Sequence, residues 1–579
     1  MIGGASIAAR PVAGVVVSGV WRALTDSRGV RVVLAAEVSA YQPAESGAVV
    51  LYGMGVIAAG PIGTDTTRSP VAAAGTEIIR ASDLDVCTRP ADGGWPWPGL
   101  LRSPGVLDRA LSLDPAGRGI GATIGAVELD AQTGWLDSYL DGYVVGGQPV
   151  ALYLMVQRYD AARGLWRDVA ATDTRQVVRA MATGWRGTED GVTVEVAGWD
   201  ALLSRPYQTS RYAGTGGAEG ATELAGVPKP RVRGRQRGVA PVLVDRNGGS
   251  PIYQVTDGGW TAQGVYEGGH AGWAYAGDFA DFASLKAAAM TSSQYATCTA
   301  LGFVRTGREP AQPITLDLIG HFPDGTATAD LALVVSNILS QDVGLTDEQV
   351  DYGALSLLSA ELGYTGGWVD DGGATRDFLQ PILRGLGIDL VQGRDGRLMP
   401  MRFTPPESPA LSVGALTTDD IVSAEPFDLP ASVSPPPAQV SVAHSRQVTV
   451  LSSEQILAAV SDARASEVAE AWRWYEGASV PAVANRYSQP NRLRVETALD
   501  GPTHAAALGA RLVTAWSRER PWYAYVLRCA DFRPLEYEIG QQVTVTYPVP
   551  GLRGGAAARI VGFELRADDD SPVSVLVIA

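Results

Sequence analysis

The chain has 579 residues, 46 of them basic and 62 acidic, for a formal charge of −16. A chain this long has room for about three to five domains with ample cores, and 46% hydrophobic against 19% charged residues argues against wholesale disorder. The acidity disfavours stable binding to a phosphate backbone, and its plainest physical effect is to keep the protein soluble.

Sixty-eight glycines and 36 prolines, with few lysines, favour a turn-rich, mainly β architecture. No apolar run approaches the roughly 20 residues needed to span a bilayer. Met1 to Arg10 carries no basic leader before a long apolar stretch, so no secretory signal is expected. Cys87, Cys298 and Cys529 are far apart and odd in number. They suit a reducing site of synthesis and form no disulfide or metal framework.

In chain order, the β-branched runs Val15-Val16-Val17, Val30 to Leu34 and Val49 to Tyr52 predict strands divided by Gly, Pro and Asp/Ser turns. Pro90 to Pro104, with Trp95 and Trp97, predicts an ordered loop. Strands follow at Ala126–Leu129, Val150–Val156 and Thr193–Val196, then a helical turn at Trp199–Leu203. A β domain over residues 1–215 is expected, closed by a Gly-rich linker from Tyr212 to Gly220. A second unit, 216–321, opens with Gly226 to Asp257. It contains a helix in Asp281–Met290 behind a possible Asp278 cap.

Residues 322–430 read as an α+β unit. Leu331, Leu333, Val334, Val335, Ile338 and Leu339 are spaced for a helix, and Thr346-Asp347 resembles a fresh helix start. A second amphipathic helix spans Thr375 to Gly387, with Gly387 as its C-cap. A hairpin turns at Arg394-Asp395-Gly396, where Asp-Gly supplies positive φ. Pro435-Pro436-Pro437 marks a boundary. Residues 431–579 are expected to form a β-barrel-like domain with one helix, Pro502–Trp516. Its strands lie at Gln439–Val442, Ala524–Leu527, Gln542–Val545, Arg559–Phe563 and Val573–Ile578. Ser453 to Trp474 reads as either helix or insertion.

Motifs of chemistry are sparse. Gly119 to Gly125 misses the dinucleotide-binding spacing by one residue and is not followed by a helix, so it reads as a turn-forming glycine cluster. Asp130, Gln132, Gly134, Asp137 and Asp141 fail the register of a calcium loop. His270, His321, His444 and His504 are scattered singly, and no Gly-x-Ser-x-Gly elbow occurs. No catalytic, cofactor or metal residue is assigned. Arg231, Arg233, Arg235 and Arg237 alternate along a predicted strand and share one face. Three readings are weighed for them: a basic stripe gripping an acidic partner subunit or peptide, a solvated strand face paired with local acids and, third because the chain is acidic overall, phosphate binding.

Several segments together resemble the central hub proteins at the distal tip of phage and gene-transfer-agent tails. They are Gly226–Asp257, Ala122–Leu140, Val192–Leu203, Pro313–Gly320, Gly393–Leu398, Ile539–Val545 and Ile560–Glu564. The likeness runs from about residue 115 to the end; residues 1–110 fit it less well. It implies a mainly β, multidomain hub with an α+β middle and two β-barrel-like, tube-type domains, assembled as a homotrimer around a DNA channel. It further implies a non-enzymatic, cofactor-free virion protein at the tail tip, made in the host cytoplasm. Its partners would be a tail tube or distal tail protein, a tape measure and tip or receptor-binding fibres. An acidic lumen would let DNA pass without sticking. The rival readings are a tail-associated polysaccharide or peptidoglycan hydrolase, which needs paired carboxylates in an aromatic cleft, and a carbohydrate-binding module using Trp95, Trp97 or the Trp260–Trp273 region.

Overall fold

The computed structural model describes residues 30–42, 75–131, 134, 136, 140, 142–189, 191–520, 522–527, 537–565 and 573–578. The strands expected at Val15–Val17 and Val49–Tyr52, the acids Asp137 and Asp141, and Cys529 lie outside the described residues. The architecture is mainly β, with most of the helices in the middle and C-terminal regions. No helix among the described residues is long and apolar enough to cross a membrane.

The first sheet is antiparallel. It runs Gly75–Ser82, Val30–Gln42, Pro149–Asp160, Thr174–Gly187, Gly191–Ala197, Val127–Asp130, Leu101–Ser103. Strand Val30–Gln42 has apolar residues on both faces, and the period of two sorts its side chains. Leu34, Ala36, Val38 and Ala40 enter the main core, whereas Val33 and Ala35 meet Val86, Trp97, Met155 and Val169 in a small second core. The loop expected at 90–104 holds a 3-10 turn, Pro90–Asp92, and two short strands, Pro96–Trp97 and Leu101–Ser103.

The glycine run at 119–125 is a correction to the sequence reading. It contains two short strands, Ile120–Gly121 and Thr123–Ile124, which leave the first sheet. Ile120–Gly121 adds in parallel to the hairpin Asp389–Gln392/Leu398–Met401, whose turn holds Gly396 at φ 90. Thr123–Ile124 pairs with Leu107–Ala110, which is itself hydrogen-bonded to Ala556–Leu565 of the last sheet. Backbone pairing therefore crosses the limit set at 215, as it does at 321, where Gly367–Asp370 pairs with Arg231–Val239.

Helix Thr375–Leu386 buries Phe378, Leu379, Ile382, Leu383 and Leu386 on one stripe and ends on Gly387 at φ 69, a conformation that costs glycine little. Helix Pro502–Trp516 starts as expected, but two other helix starts differ. Asp330 caps Leu331–Asn337, Asp351 and not Thr346 caps Tyr352–Leu362, and Asp281 and not Asp278 caps Phe282–Ala287. In each case the carboxylate accepts backbone N–H groups of the first turn that have no partner inside the helix. Helix Asp462–Ala469 settles the 453–474 stretch as partly helical.

The last sheet runs Gly414–Leu416, Gln542–Val545, Ala556–Leu565, Val573–Ile578, Trp522–Leu527, Ile421–Pro426. Beside it, helix Pro502–Trp516 and the sheet built on Pro437–His444 share the main core through Leu508, Leu512, Val440 and Val442. An inserted module stands apart from this core. One of its sheets holds Trp260–Glu267, Ile314–Gly320, Arg231–Val239 and Gly367–Asp370; the other holds Val242–Asp245, Ile252–Gln254, Phe303–Thr306, Gln294–Cys298 and Ala274–Asp278. Its two cores are small, one around Trp260, Leu316 and Leu318, the other around Tyr212, Leu285 and Phe303. Tyr212, at the start of the expected linker, is thus a buried anchor of this module.

Candidate functional site

Strand Arg231–Val239 places its four arginines where the inserted module meets the rest of the chain, and carboxylates of this same chain answer each one. Arg231 donates from Nε and Nη2 to Asp257 Oδ2 at 3.0 and 2.7 Å, and its guanidinium lies 5.2 Å from the Tyr207 ring. Arg233, 4% exposed, forks onto Asp342 at 2.9 and 2.6 Å, donates to the His321 carbonyl, and stacks on Phe322. Tyr207 donates its hydroxyl to the same Asp342. Arg237 forks onto Asp500 at 2.8 and 3.2 Å, and Arg235 reaches it at 3.5 Å.

Electrostatics follow from this geometry. Burial opposes the charged form of Asp500, but the Arg237 fork, Arg235 and the Ser445 hydroxyl outweigh it and hold its carboxyl below the usual range. Burial likewise works against charge on Arg233, and the Asp342 fork reverses it, so that guanidinium holds its proton more tightly than usual. Burial and then Asp342 raise the Tyr207 phenol well above its ordinary value. Of the readings weighed for the stripe, pairing with acids of the same chain describes all four side chains, but the face is not solvated throughout, since Arg233 is buried. Arg235 and Arg237 remain 38% exposed, so this end alone offers substantial surface to another molecule.

A second knot joins three segments hundreds of residues apart. Arg109 is fully buried; it donates to the Gln392 carbonyl at 2.9 Å and to Glu538 Oε1 at 3.0 Å, and lies 5.1 Å from the Phe563 ring. Arg394 lies at the same distance from that ring, pairs with Glu538 at 3.4 Å and donates to the Tyr537 carbonyl. Burial, with Arg109 adding to it, lowers the Arg394 guanidinium to about 10 despite Glu538. The sequence reading assigned no role to Arg109 or Arg394. The available signal was Arg109 at an inward position of the alternating Leu107-Asp108-Arg109-Ala110, where a lone guanidinium requires a distant partner.

Two further carboxyls are displaced upward. Asp108 stands directly opposite Glu564 across the seam between its strand and the last sheet; burial, then Glu564, push it up to about 6. Burial also lifts Asp389 to about 6, against Arg118 and the two backbone N–H groups of Gly119 and Ser112 that it accepts. Among the described residues no group of three or more His, Cys, Asp or Glu side chains is gathered to hold a metal.

A cleft of about 510 Å³ is lined by residues including Phe427, Asp428, Trp516, Arg518, Glu519 and Tyr523. It combines aromatics with two carboxylates, but Glu519 is 57% exposed and paired with Arg486 at 3.3 Å. Of the tryptophans offered for glycan stacking, Trp97 and Trp260 are buried in cores, a correction to that reading. Trp95 is exposed beneath the Arg80 guanidinium, and Trp273 carries Arg308 at 4.6 Å.

No protein-family model and no curated protein matches this chain. Solved structures similar to it include a tail protein from Neisseria meningitidis MC58, at 10% identity over 82% of this chain and 92% of that one, with a TM-score of 0.31. A chain of a native gene transfer agent virion is 15% identical over 61% of this chain and 84% of its own, with a TM-score of 0.33. The 43 kDa tail protein of prophage MuSo2 from Shewanella oneidensis is 10% identical over 86% and 98%, with a TM-score of 0.29. At scores this low the folds do not superimpose as wholes, so the functional reading rests on this chain's own residues.

Proposed function

We propose that this chain is a structural component of a virion tail, the central hub of its tip or baseplate, working through interface surfaces and not through a catalytic site. In this reading three copies form a ring that joins the tail tube or distal tail protein to tip or receptor-binding proteins and surrounds the DNA channel. The division near residues 215, 321 and 430 belongs to the same proposal, with 216–321 as a module mounted on the ring.

The observation that carries it is the buried knot around Phe563. Three segments bearing the hub resemblance meet there: the neighbouring Ile539–Val545 and Ile560–Glu564, and Gly393–Leu398, which is distant from both in sequence. Arg394 and Phe563 are in contact, Glu538 immediately precedes Ile539, and Gly540 donates to the Ile560 carbonyl at 2.8 Å. Segments that share a resemblance and also share one junction are segments on which the architecture depends. The exposed end of the arginine stripe, Arg235 and Arg237, is the surface offered to an acidic partner.

Solution mass and electron microscopy of the purified chain test the reading. A threefold ring is expected. A protein that stays monomeric at high concentration, without ring-shaped particles, sinks it. Turnover of peptidoglycan or surface polysaccharide would replace it with the hydrolase reading.

A further inference from the structure

Two surfaces of this chain expose apolar side chains inside rims of opposite charge. The first is the tip of a hairpin at the end of strand Pro149–Asp160, where Tyr159 and Asp160 pair with Trp166 and Leu165. Leu165 is 65% exposed, Tyr159 is exposed beside it, and the Tyr159 ring meets the Trp166 ring edge-on at 5.3 Å. The turn is fixed from within: Asp160 Oδ1 accepts Ala162 N and Arg163 N at 3.1 and 3.3 Å, and Gly164 closes it at φ 67. Arg158, Arg163 and Arg167 surround the tip with mostly exposed side chains. From Arg158 to Arg167 the sequence holds one acid, Asp160, shared by Arg163 at 3.9 Å and Arg167 at 3.1 Å. The tip is therefore basic in a chain of net charge −16.

The second surface is an edge of the last sheet. Its strand order begins with Gly414–Leu416 and ends with Ile421–Pro426, yet Thr417 to Asp420 alone connect the two. With strands about 4.8 Å apart, the ends of a flat sheet of this order would lie about 24 Å from each other, beyond the roughly 17 Å that so short a connection reaches. The connection is shorter still, because Asp420 N and Ile421 N both turn back to the Thr417 carbonyl at 3.0 Å. The sheet therefore curls until its end strands lie side by side at a seam where they are not paired with each other. Leu411 and Val413, 61% and 60% exposed, stand out from this edge, and Val422 is exposed on the other strand of the seam. From Glu407 to Asp428 the sequence has five acids and no Lys, Arg or His, and Glu407, Asp419 and Glu425 are exposed.

We propose that the Tyr159–Trp166 hairpin tip of one copy docks on the Leu411–Val422 edge of a second copy of this chain. Tyr, Trp and Arg are the side chains that dominate binding energy at interfaces, and an unpaired edge strand is a ready site for an incoming chain. Charge selects the occupant, since a basic rim meets an acidic one. Within one chain both surfaces stay open to solvent, so neither covers the other. The contact joins unlike surfaces, and such head-to-tail contacts are the kind that close rings. It rests on the ring reading above and names the surfaces that would hold the ring together.

Analytical ultracentrifugation of the full chain tests it. Leu165→Asp and Val413→Asp are each expected to raise the concentration at which copies assemble by about tenfold or more, with melting temperatures unchanged because both side chains are exposed. Arg163→Glu, a milder change at the tip, is expected to weaken assembly and its salt dependence together, and it keeps the test open if either Asp variant melts early. A mixture of the Leu165→Asp and Val413→Asp chains retains one sound surface of each kind, so dimers are expected and rings are not. Assembly of both variants at the wild-type concentration overturns the contact and leaves the ring reading standing; a mixture without dimers does the same. A wild-type chain that stays monomeric removes the ring reading and this contact together, and hairpin-dependent sedimentation of that monomer with anionic lipid vesicles would reassign the tip to a lipid surface.

Discussion

The main core and the inserted module are held by different physics. The main core runs without a break from the first sheet through helix Thr375–Leu386 to the last sheet, and its cohesion is apolar burial, which is non-directional. The module has two small cores and meets the rest through backbone pairing with Gly367–Asp370 and through oriented pairs, Arg233 with Asp342 and Arg237 with Asp500. Apolar contact tolerates small shifts; a forked guanidinium–carboxylate pair does not. The difference teaches that the module's cores serve its own folding, while the charge ladder adds directional contacts to the strand pairing that joins it to the rest.

The sharpest way to break this contrast is to remove one half of the most buried pair. Asp342→Ala strands Arg233 as an uncompensated buried charge and takes away the acceptor of Tyr207, so a loss of about 3–5 kcal/mol is expected in chemical denaturation. The double replacement Arg233→Met with Asp342→Leu is expected to recover most of that loss while loosening the module, measured as faster amide exchange along Ile314–Gly320. If the double variant is as damaged as the single one, the pair is not what orients the module.

On the apolar side, Leu383→Ala removes a fully buried side chain from the helix that all parts of the main core share. A loss of about 2–5 kcal/mol is expected, the spread depending on how far the cavity collapses. This loss should show at the last sheet as well as the first, because both draw on one core. Asp500→Asn should cost less, about 1.5–3 kcal/mol, since the Arg235 and Arg237 ends of its pairs are partly solvated. Its pH signature has a definite sign. The folded carboxyl is held below the usual range, so its contribution is present above the unfolded value near 4 and lost as pH falls through the lower folded one. An acid-unfolding midpoint in Asp500→Asn identical to wild type would remove that carboxylate from the ladder.

The same division explains what could be read from sequence. Helix Pro502–Trp516, the strands Gln542–Val545 and Val573–Ile578 and the Gly396 turn were legible because periodicity and turn chemistry are local. The Asp351 and Asp281 caps were missed by a few residues, since several nearby acids could each serve and packing chooses among them. The arginine stripe was visible as a pattern, but its partners Asp257, Asp342 and Asp500 lie 26, 109 and 263 residues away from the arginines they pair with, a range no local rule spans. The departure of Leu107–Ala110 and Ile120–Ile124 into other sheets was illegible for the same reason.

The seam made by that departure gives the smallest effect and the opposite sign. Asp108 and Glu564 face each other directly across the two strands, with Thr123 opposite Asp108 on the other side, and like charges so placed repel. Burial and Glu564 raise the folded Asp108 carboxyl to about 6 from an ordinary 3.8, so the folded chain binds this proton more tightly than the unfolded one. This group therefore favours folding most below the ordinary value, and its contribution declines as pH rises through about 6. Asp108→Asn, which keeps the shape and removes the charge, is expected to stabilise the protein by about 1–2 kcal/mol at neutral pH. The gain should vanish as pH falls below the ordinary value of 3.8, where Asp108 is protonated in either state. Asp389→Asn provides the contrast. That carboxyl is raised to a similar value but accepts two backbone N–H groups, and its replacement forfeits one of them, so no gain is expected there. Paired melting curves between pH 4 and 8 distinguish the two: a seam set by repulsion yields a gain that grows with pH for Asp108 alone.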